Sequence, residues 1–159
     1  MTQHNKIESI LVPVDFSEHS EAALLFAVDC ADKMGAAVKV LHVIHDLGEA
    51  PGYYSVKGRK KQLRRMEDVA NDMLGEFIQE IKSSHPELPA LNTIKTILVK
   101  GLPVNRILEM AEKSDCQMIV MGSQGRTGLS HIMLGSKAEQ VVRLSPVPVT
   151  IVKQHKKIK

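Results

Sequence analysis

Ile10-Leu11-Val12-Pro13-Val14-Asp15-Phe16-Ser17 reads as a short apolar strand that runs directly into an acidic residue and a helix start. The apolar run is too short for a helix and rich in branched side chains, which suit a pleated strand. It is apolar at successive positions rather than alternate ones, the pattern of a parallel strand covered on both faces. Ser17 offers a hydroxyl to cap a following helix, and Glu18 and Glu21 put acids where the helix dipole favours them. Strand, acid and capped helix together make one βα unit.

The same unit recurs along the chain. Val38-Lys39-Val40-Leu41-His42-Val43-Ile44, residues 94–99, residues 118–121 and Val147-Pro148-Val149-Thr150-Ile151-Val152 are further strand candidates. Between them lie helical periods. The first helix is expected to turn Ala23, Phe26, Ala27, Cys30 and Met34 inward and to end at Gly35. A longer one over 57–84 carries Met66, Ala70, Met73, Phe77 and Ile81 as its stripe, and Pro86 and Pro89 close it. A third opens at Pro103, a favoured first helical position, and buries Val104, Ile107, Leu108 and Ala111. The fourth covers 136–144 with Ala138, Val141 and Val142 inward. Alternation of this kind implies an α/β fold: an open, five-stranded parallel sheet with helices on both faces and right-handed crossovers. One domain over 1–159 is expected, with 1–5 and 154–159 as frayed tails. The stretch 45–56, holding Gly48, Pro51 and Gly52, reads as a loop rather than a boundary.

Composition narrows the function. With 21 Lys and Arg against 18 Asp and Glu, the net charge of +3 is too small to imply a polyanion partner by itself. Three Phe, two Tyr and no Trp leave few platforms for stacking bases, so nucleic-acid binding is not expected. Lys57, Arg59, Lys60, Lys61, Arg64 and Arg65 crowd one stretch, and Lys153, Lys156, Lys157 and Lys159 the tail. Each reads as a solvated charge run, or alternatively as a docking patch for an acidic protein partner. Cys30 and Cys116 stand apart in apolar stretches with no metal-ligand spacing, which suggests buried thiols in a reducing compartment. The first residues show no apolar leader and no run is long enough to cross a bilayer, so a cytoplasmic location and no membrane partner are expected.

In open α/β sheets, ligands bind beyond the carboxyl ends of strands where strand order reverses. Two strand ends draw attention. Asp15 is either a turn and capping residue or a carboxylate for an adenine amino group or a ribose hydroxyl; its local sequence leaves both open. The second is Met121-Gly122-Ser123-Gln124-Gly125-Arg126-Thr127-Gly128, followed by Gly135-Ser136 at a helix start. Glycines let backbone amides approach a ligand, and a helix N-terminus attracts phosphate. Ser136 adds a hydroxyl and Arg126 a charge. The loop also fits a mere tight connection. Neither GxxxxGK[ST] nor GxGxxG occurs, which argues against a P-loop enzyme and a dinucleotide dehydrogenase.

Gly122, Gly125, Gly135 and Ser136 fill all four positions of a pattern of Gly, two residues, Gly, nine residues, then Gly and Ser or Thr. In this the chain resembles the universal stress protein family, and the resemblance runs from Ile10 to Val152 through the strand ends already quoted. It implies the adenine nucleotide alpha-hydrolase-like sheet order 3-2-1-4-5, with the first and fourth strands side by side. It implies that Pro13, Val14 and Asp15 line the adenine and ribose side, with Val43 against the base and Met121 and Gly122 beneath the ribose. Gly125 would approach the phosphates and Gly135 and Ser136 cradle them, with Arg126 and Lys137 nearby. The ligand implied is ATP, or ADP or AMP, with Mg or Mn held through the phosphates rather than by a protein cluster. The family often carries His where Gln124 stands and a small or aliphatic residue where Lys137 stands. Its members pair through the last strand, implying a homodimer across 147–152. The function implied is nucleotide-dependent stress regulation or sensing. The alternatives are a nucleotide-free dimeric adaptor and a slow ATP hydrolase or self-phosphorylating protein, with Ser123, Thr127 and Ser136 as the available hydroxyls. No arranged nucleophile and base is present in the sequence, so an enzyme is not expected.

Overall fold

A computed structural model describes residues 6–46, 59–125 and 133–154. The chain builds β1 (Ser9–Pro13), α1 (Glu18–Met34), β2 (Ala37–His45), α2 (Arg59–Ser84), β3 (Lys95–Gly101), α3 (Pro103–Lys113), β4 (Met118–Gly122), α4 (Ser136–Leu144) and β5 (Val149–Val152). A short 3-10 turn at Pro89–Thr93, not foreseen in the sequence, leads into β3. The strands form one sheet in the order β3-β2-β1-β4-β5, with parallel pairing throughout. The tails 1–5 and 155–159 lie outside the described residues. So do Gly48, Pro51, Gly52, Lys57, Arg126, Thr127, Gly128, Lys156, Lys157 and Lys159.

Two apolar cores sandwich the sheet. Ile10, Val12, Val38, Val40 and Val120 face α1 and α2, where Ala23, Leu24, Ala27, Leu74 and Ile78 meet them. Leu11, Leu41, Ile119 and Met121 point the other way, onto Ile107 and Ala111 of α3 and Ala138 and Val141 of α4. Consecutive residues of β1 thus feed opposite cores, because side chains alternate across a pleated strand. β3 and β5 are edge strands and only half-buried, so the expectation of strands covered on both faces holds for the three inner ones.

The first helix starts and stops as its sequence predicts. Ser17 caps it, its hydroxyl accepting from the Ser20 amide at 3.2 Å. Gly35 ends it at φ 67°, a left-handed turn suited to a residue without Cβ. The face it buries differs from expectation. Phe26 and Met34 are 42% and 38% exposed, and Cys30 is only half-buried. Ala23 and Ala27 are buried as expected, and Ala31, Leu24 and Val28 complete the core face in place of Phe26, Cys30 and Met34. Small residues let the helix axis approach the sheet, and the larger apolar ones are displaced to its flank. In α2 the expected Ala70 and Ile81 are buried, joined by Leu74 and Ile78, while Met66 is 40% exposed; in α4 the expected Ala138 and Val141 are buried while Val142 is 45% exposed. β5 is shorter than the apolar run 147–152. Val147 is turned away by the Ser145 hydroxyl, which accepts from its amide at 3.2 Å, and the Pro148 carbonyl accepts from Ile119.

Candidate functional site at the switch point

From β1 the chain proceeds outward through β2 and β3, then returns to place β4 on the other side of β1. The sheet's switch point therefore falls between β1 and β4. The register shows a crevice opening there. β1 pairs β2 up to Pro13 opposite Leu41, but pairs β4 only at Ile10 with Met118 and Leu11 with Ile119. Beyond Leu11 the two strands part.

A cavity of about 480 Å³ lies at that opening, within the usual size range of small-molecule sites. Of the eleven residues singled out in the sequence, ten line it: Pro13, Val14 and Asp15 from the end of β1, Val43 from β2, Met121 and Gly122 from β4, Gly125 from the loop, and Gly135, Ser136 and Lys137 from the start of α4. The eleventh, Arg126, lies outside the described residues.

Asp15 fulfils the turn reading. Its Oδ1 accepts from the amide of Ser17 at 3.1 Å and from the Ser17 hydroxyl at 2.5 Å, which closes a turn onto α1. Its Oδ2 lies on the far side, where a Cβ on Gly125 would come within 2.9 Å of it. One oxygen fixes the turn while the other faces the glycine loop.

The glycines act for different reasons. Gly122 is needed for packing, since a Cβ there would strike the backbone of His19 in α1 at 2.8 Å. Gly135 was expected to offer its amide to a ligand; that amide instead donates to the Ser123 carbonyl at 2.8 Å. Together with Gln124, whose Nε2 donates to the Met133 carbonyl at 3.1 Å, this bond ties residues 123–124 to residues 133–135. Gly135 brings no side-chain cap to α4, so the amides of Ser136, Lys137 and Ala138 have no carbonyl within the helix to satisfy them. The anion-attracting position thus starts at Ser136 rather than Gly135.

Other lining residues were not singled out in advance. Pro103 and Ile107 come from α3, Met133 and Leu134 from the loop side of α4, and His42 from β2. Strand-end reasoning names only β1 and β4. The start of α3 stands at the same end of the sheet, so the chain order held a usable signal for Pro103. Leu41 accepts from the Val14 amide at 2.8 Å, which ties the end of β1 to the strand carrying His42 and Val43. Among the described residues, no three His, Cys, Asp or Glu side chains gather as a metal site.

Comparison with known proteins agrees with the architecture. The universal stress protein family model matches residues 6–153. Universal stress protein MJ0531 of Methanocaldococcus jannaschii is 31% identical over 153 residues, covering 96% of this chain and 86% of that one. The solved structure of MJ0577, from the same organism, superposes with a TM-score of 0.68 at 30% identity, covering 96% of this chain and 99% of that one. A universal stress protein solved in complex with cAMP shares the fold at a TM-score of 0.66 and 20% identity, covering 93% of this chain and 98% of that one. With its five strands in the order 3-2-1-4-5 and the match running over nearly its whole length, the chain belongs to the universal stress protein family.

Proposed function

We propose that the cavity binds ATP or a related adenine nucleotide, and that the protein acts as a regulator or sensor in the stress response. The observation that carries this reading is one juxtaposition. The switch-point cavity is lined both by Asp15 and by the uncapped first turn of α4, with Gly122, Gly125 and Gly135 in the same lining. A carboxylate recognises hydroxyls, open helix amides recognise phosphate, and the apolar wall of Val43, Ile107 and Met121 suits a flat base. The protein solved with cAMP shows an adenine nucleotide on this fold in another member; for this chain the reading stands on the cavity's own groups.

Calorimetric titration with ATP, ADP and AMP tests it directly, supported by adenine absorbance released when the purified protein is denatured. Micromolar binding of at least one nucleotide is the expected result, and no heat with any of them would leave the nucleotide-free adaptor as the better reading. The same proposal includes a two-fold homodimer through β5. That strand pairs β4 on one edge, and among the described residues nothing covers the other. Light scattering behind size exclusion should give twice the chain mass; a monomer would remove the dimer.

A further inference from the structure

Phe16 adopts φ 66° between Asp15 and Ser17. This is the left-handed region, which bulky L-residues avoid because Cβ crowds the backbone carbonyl. Glycine takes it without strain, yet the position holds Phe. Its ring explains how the conformation persists. It stacks on the His42 imidazole with centroids 4.3 Å apart and planes at 30°. It also meets the ring of Phe77 in α2 edge-on, at 5.5 Å and 64°. His42 lines the cavity; Phe16 and Phe77 stand behind it.

The neighbours of Phe16 are held as well. His42 Nδ1 lies 2.8 Å from the Val14 carbonyl, and since a carbonyl only accepts, Nδ1 carries the proton and donates. The Val14 amide is bonded to Leu41. Asp15 is thus flanked by a residue tied to β2 and by a strained residue wedged between two rings. Strain of this kind persists where the surroundings over-determine it, and it clusters at ligand sites.

We propose that Phe16 is a positioning residue for the Asp15 carboxylate, and that Phe77 makes α2 part of the same clamp, so that the seating of α2 sets how well the cavity recognises its ligand's sugar. This rests on the reading of the cavity as a nucleotide site with Asp15 on the ribose. The physical chain is short. Without the edge contact from Phe77, Phe16 loses one of the two supports for its left-handed backbone. Relaxation toward negative φ swings the peptide group linking Asp15 and Phe16 and shifts Ser17, whose amide and hydroxyl hold Asp15 Oδ1. The carboxylate then leaves the ribose while the apolar wall for the base stays in place. α2 also presents Lys61, Arg64 and Arg65 to solvent. A partner docking on that basic surface would therefore act on the helix that bears Phe77.

The test is calorimetry on the full chain with ATP and 2′-deoxy-ATP as probes. Wild-type protein should prefer ATP about tenfold, the worth of one hydrogen bond to a carboxylate. Phe77→Leu, close in volume and lacking the ring, should narrow the preference to about threefold or less while changing deoxy-ATP affinity by less than about twofold. Phe16→Ala, which loses both ring contacts, should bring it near unity. Ile81→Ala is the control: Ile81 is buried one turn further along α2 in the same core, so the variant loosens that core while both aromatic side chains are kept, and it should keep the full preference. An undiminished preference in Phe77→Leu, or an equal loss in Ile81→Ala, would overturn the clamp. Wild-type protein that binds both probes equally, or neither, would instead remove the ribose role of Asp15 on which the clamp is built.

Discussion

A Cβ on Gly122 would lie 2.8 Å from both the carbonyl carbon and the carbonyl oxygen of His19. The last residue of β4 therefore passes directly against the first turn of α1, backbone to backbone. Neither partner can rotate away, so Gly122→Ala must push the helix off the sheet. Overpacking of this kind costs about 1–3 kcal/mol, and urea denaturation should show that loss as a lower midpoint with an unchanged slope. A change smaller than about 0.5 kcal/mol, the usual size for a surface substitution, would mean that the contact is softer than it looks.

Gly125→Ala should behave differently although the added methyl is equally crowded. The atom it meets is Asp15 Oδ2, 2.9 Å away, the far end of a side chain rather than a main chain. The carboxylate can swing, so stability should change by less than about 1 kcal/mol. The swing moves the group proposed to hold the sugar, so nucleotide affinity should fall about tenfold, the worth of a lost hydrogen bond to a charged group. Denaturation and calorimetry on the same two variants would then separate a packing glycine from a site glycine within one sequence signature.

The alternation of strands and helices and the two strand ends that border the cavity were legible because both depend on patterns local in sequence: doubly covered apolar runs, the Ser17 cap, Gly35, and glycines after the fourth strand; the strand order followed from the family resemblance and not from any local pattern. What stayed hidden depends on how closely elements approach. Counting large apolar residues favoured Phe26 and Met34 in α1, whereas the sheet accepts the Ala23, Ala27 and Ala31 row because it lets the helix come near. The reason for Gly122 was equally invisible, since its partner His19 is distant in sequence. The bond from the Gly135 amide to the Ser123 carbonyl was equally hidden, since the two residues are twelve apart. Phe16 gave no signal at all, because neither its backbone angle nor its two ring partners follow from the residues beside it.

Glu109 on α3 offers a pH test away from the cavity. Hydrogen bonds from Lys113 and from Arg106, with their charges, hold its carboxyl below the usual carboxylate range. A carboxyl lowered in the folded state adds stability above its unfolded value of about 4.3, and that contribution is lost as pH falls through the folded value. The group is exposed enough that salt should screen the effect. An NMR titration of Glu109 should therefore show a depressed midpoint that rises in Lys113→Met and rises partway at high salt. A midpoint that stays put in Lys113→Met would show that the lysine plays no part in holding it.

Lys137 lines the cavity from the first turn of α4, and its position makes its charge informative. Among the described residues lining the cavity, Asp15 and Lys137 are the two that carry a fixed charge at neutral pH. They stand on different elements, the carboxylate after β1 and the ammonium in the first turn of α4. A ligand with its sugar on Asp15 and its anionic tail on α4 meets a positive charge only at the tail. Affinity should therefore rise with phosphate number, from adenosine through AMP to ATP. Lys137→Gln keeps the helix and its amides but removes the charge, so ATP should weaken about three- to tenfold, as for an exposed charge-assisted contact. Adenosine should bind the two proteins alike, and the wild-type advantage for ATP should shrink as salt is added. Adenosine binding that drops in parallel would mean the substitution had disturbed the pocket rather than its electrostatics. An ATP affinity unchanged in Lys137→Gln would mean that the helix amides alone hold the phosphates and that the lysine faces water.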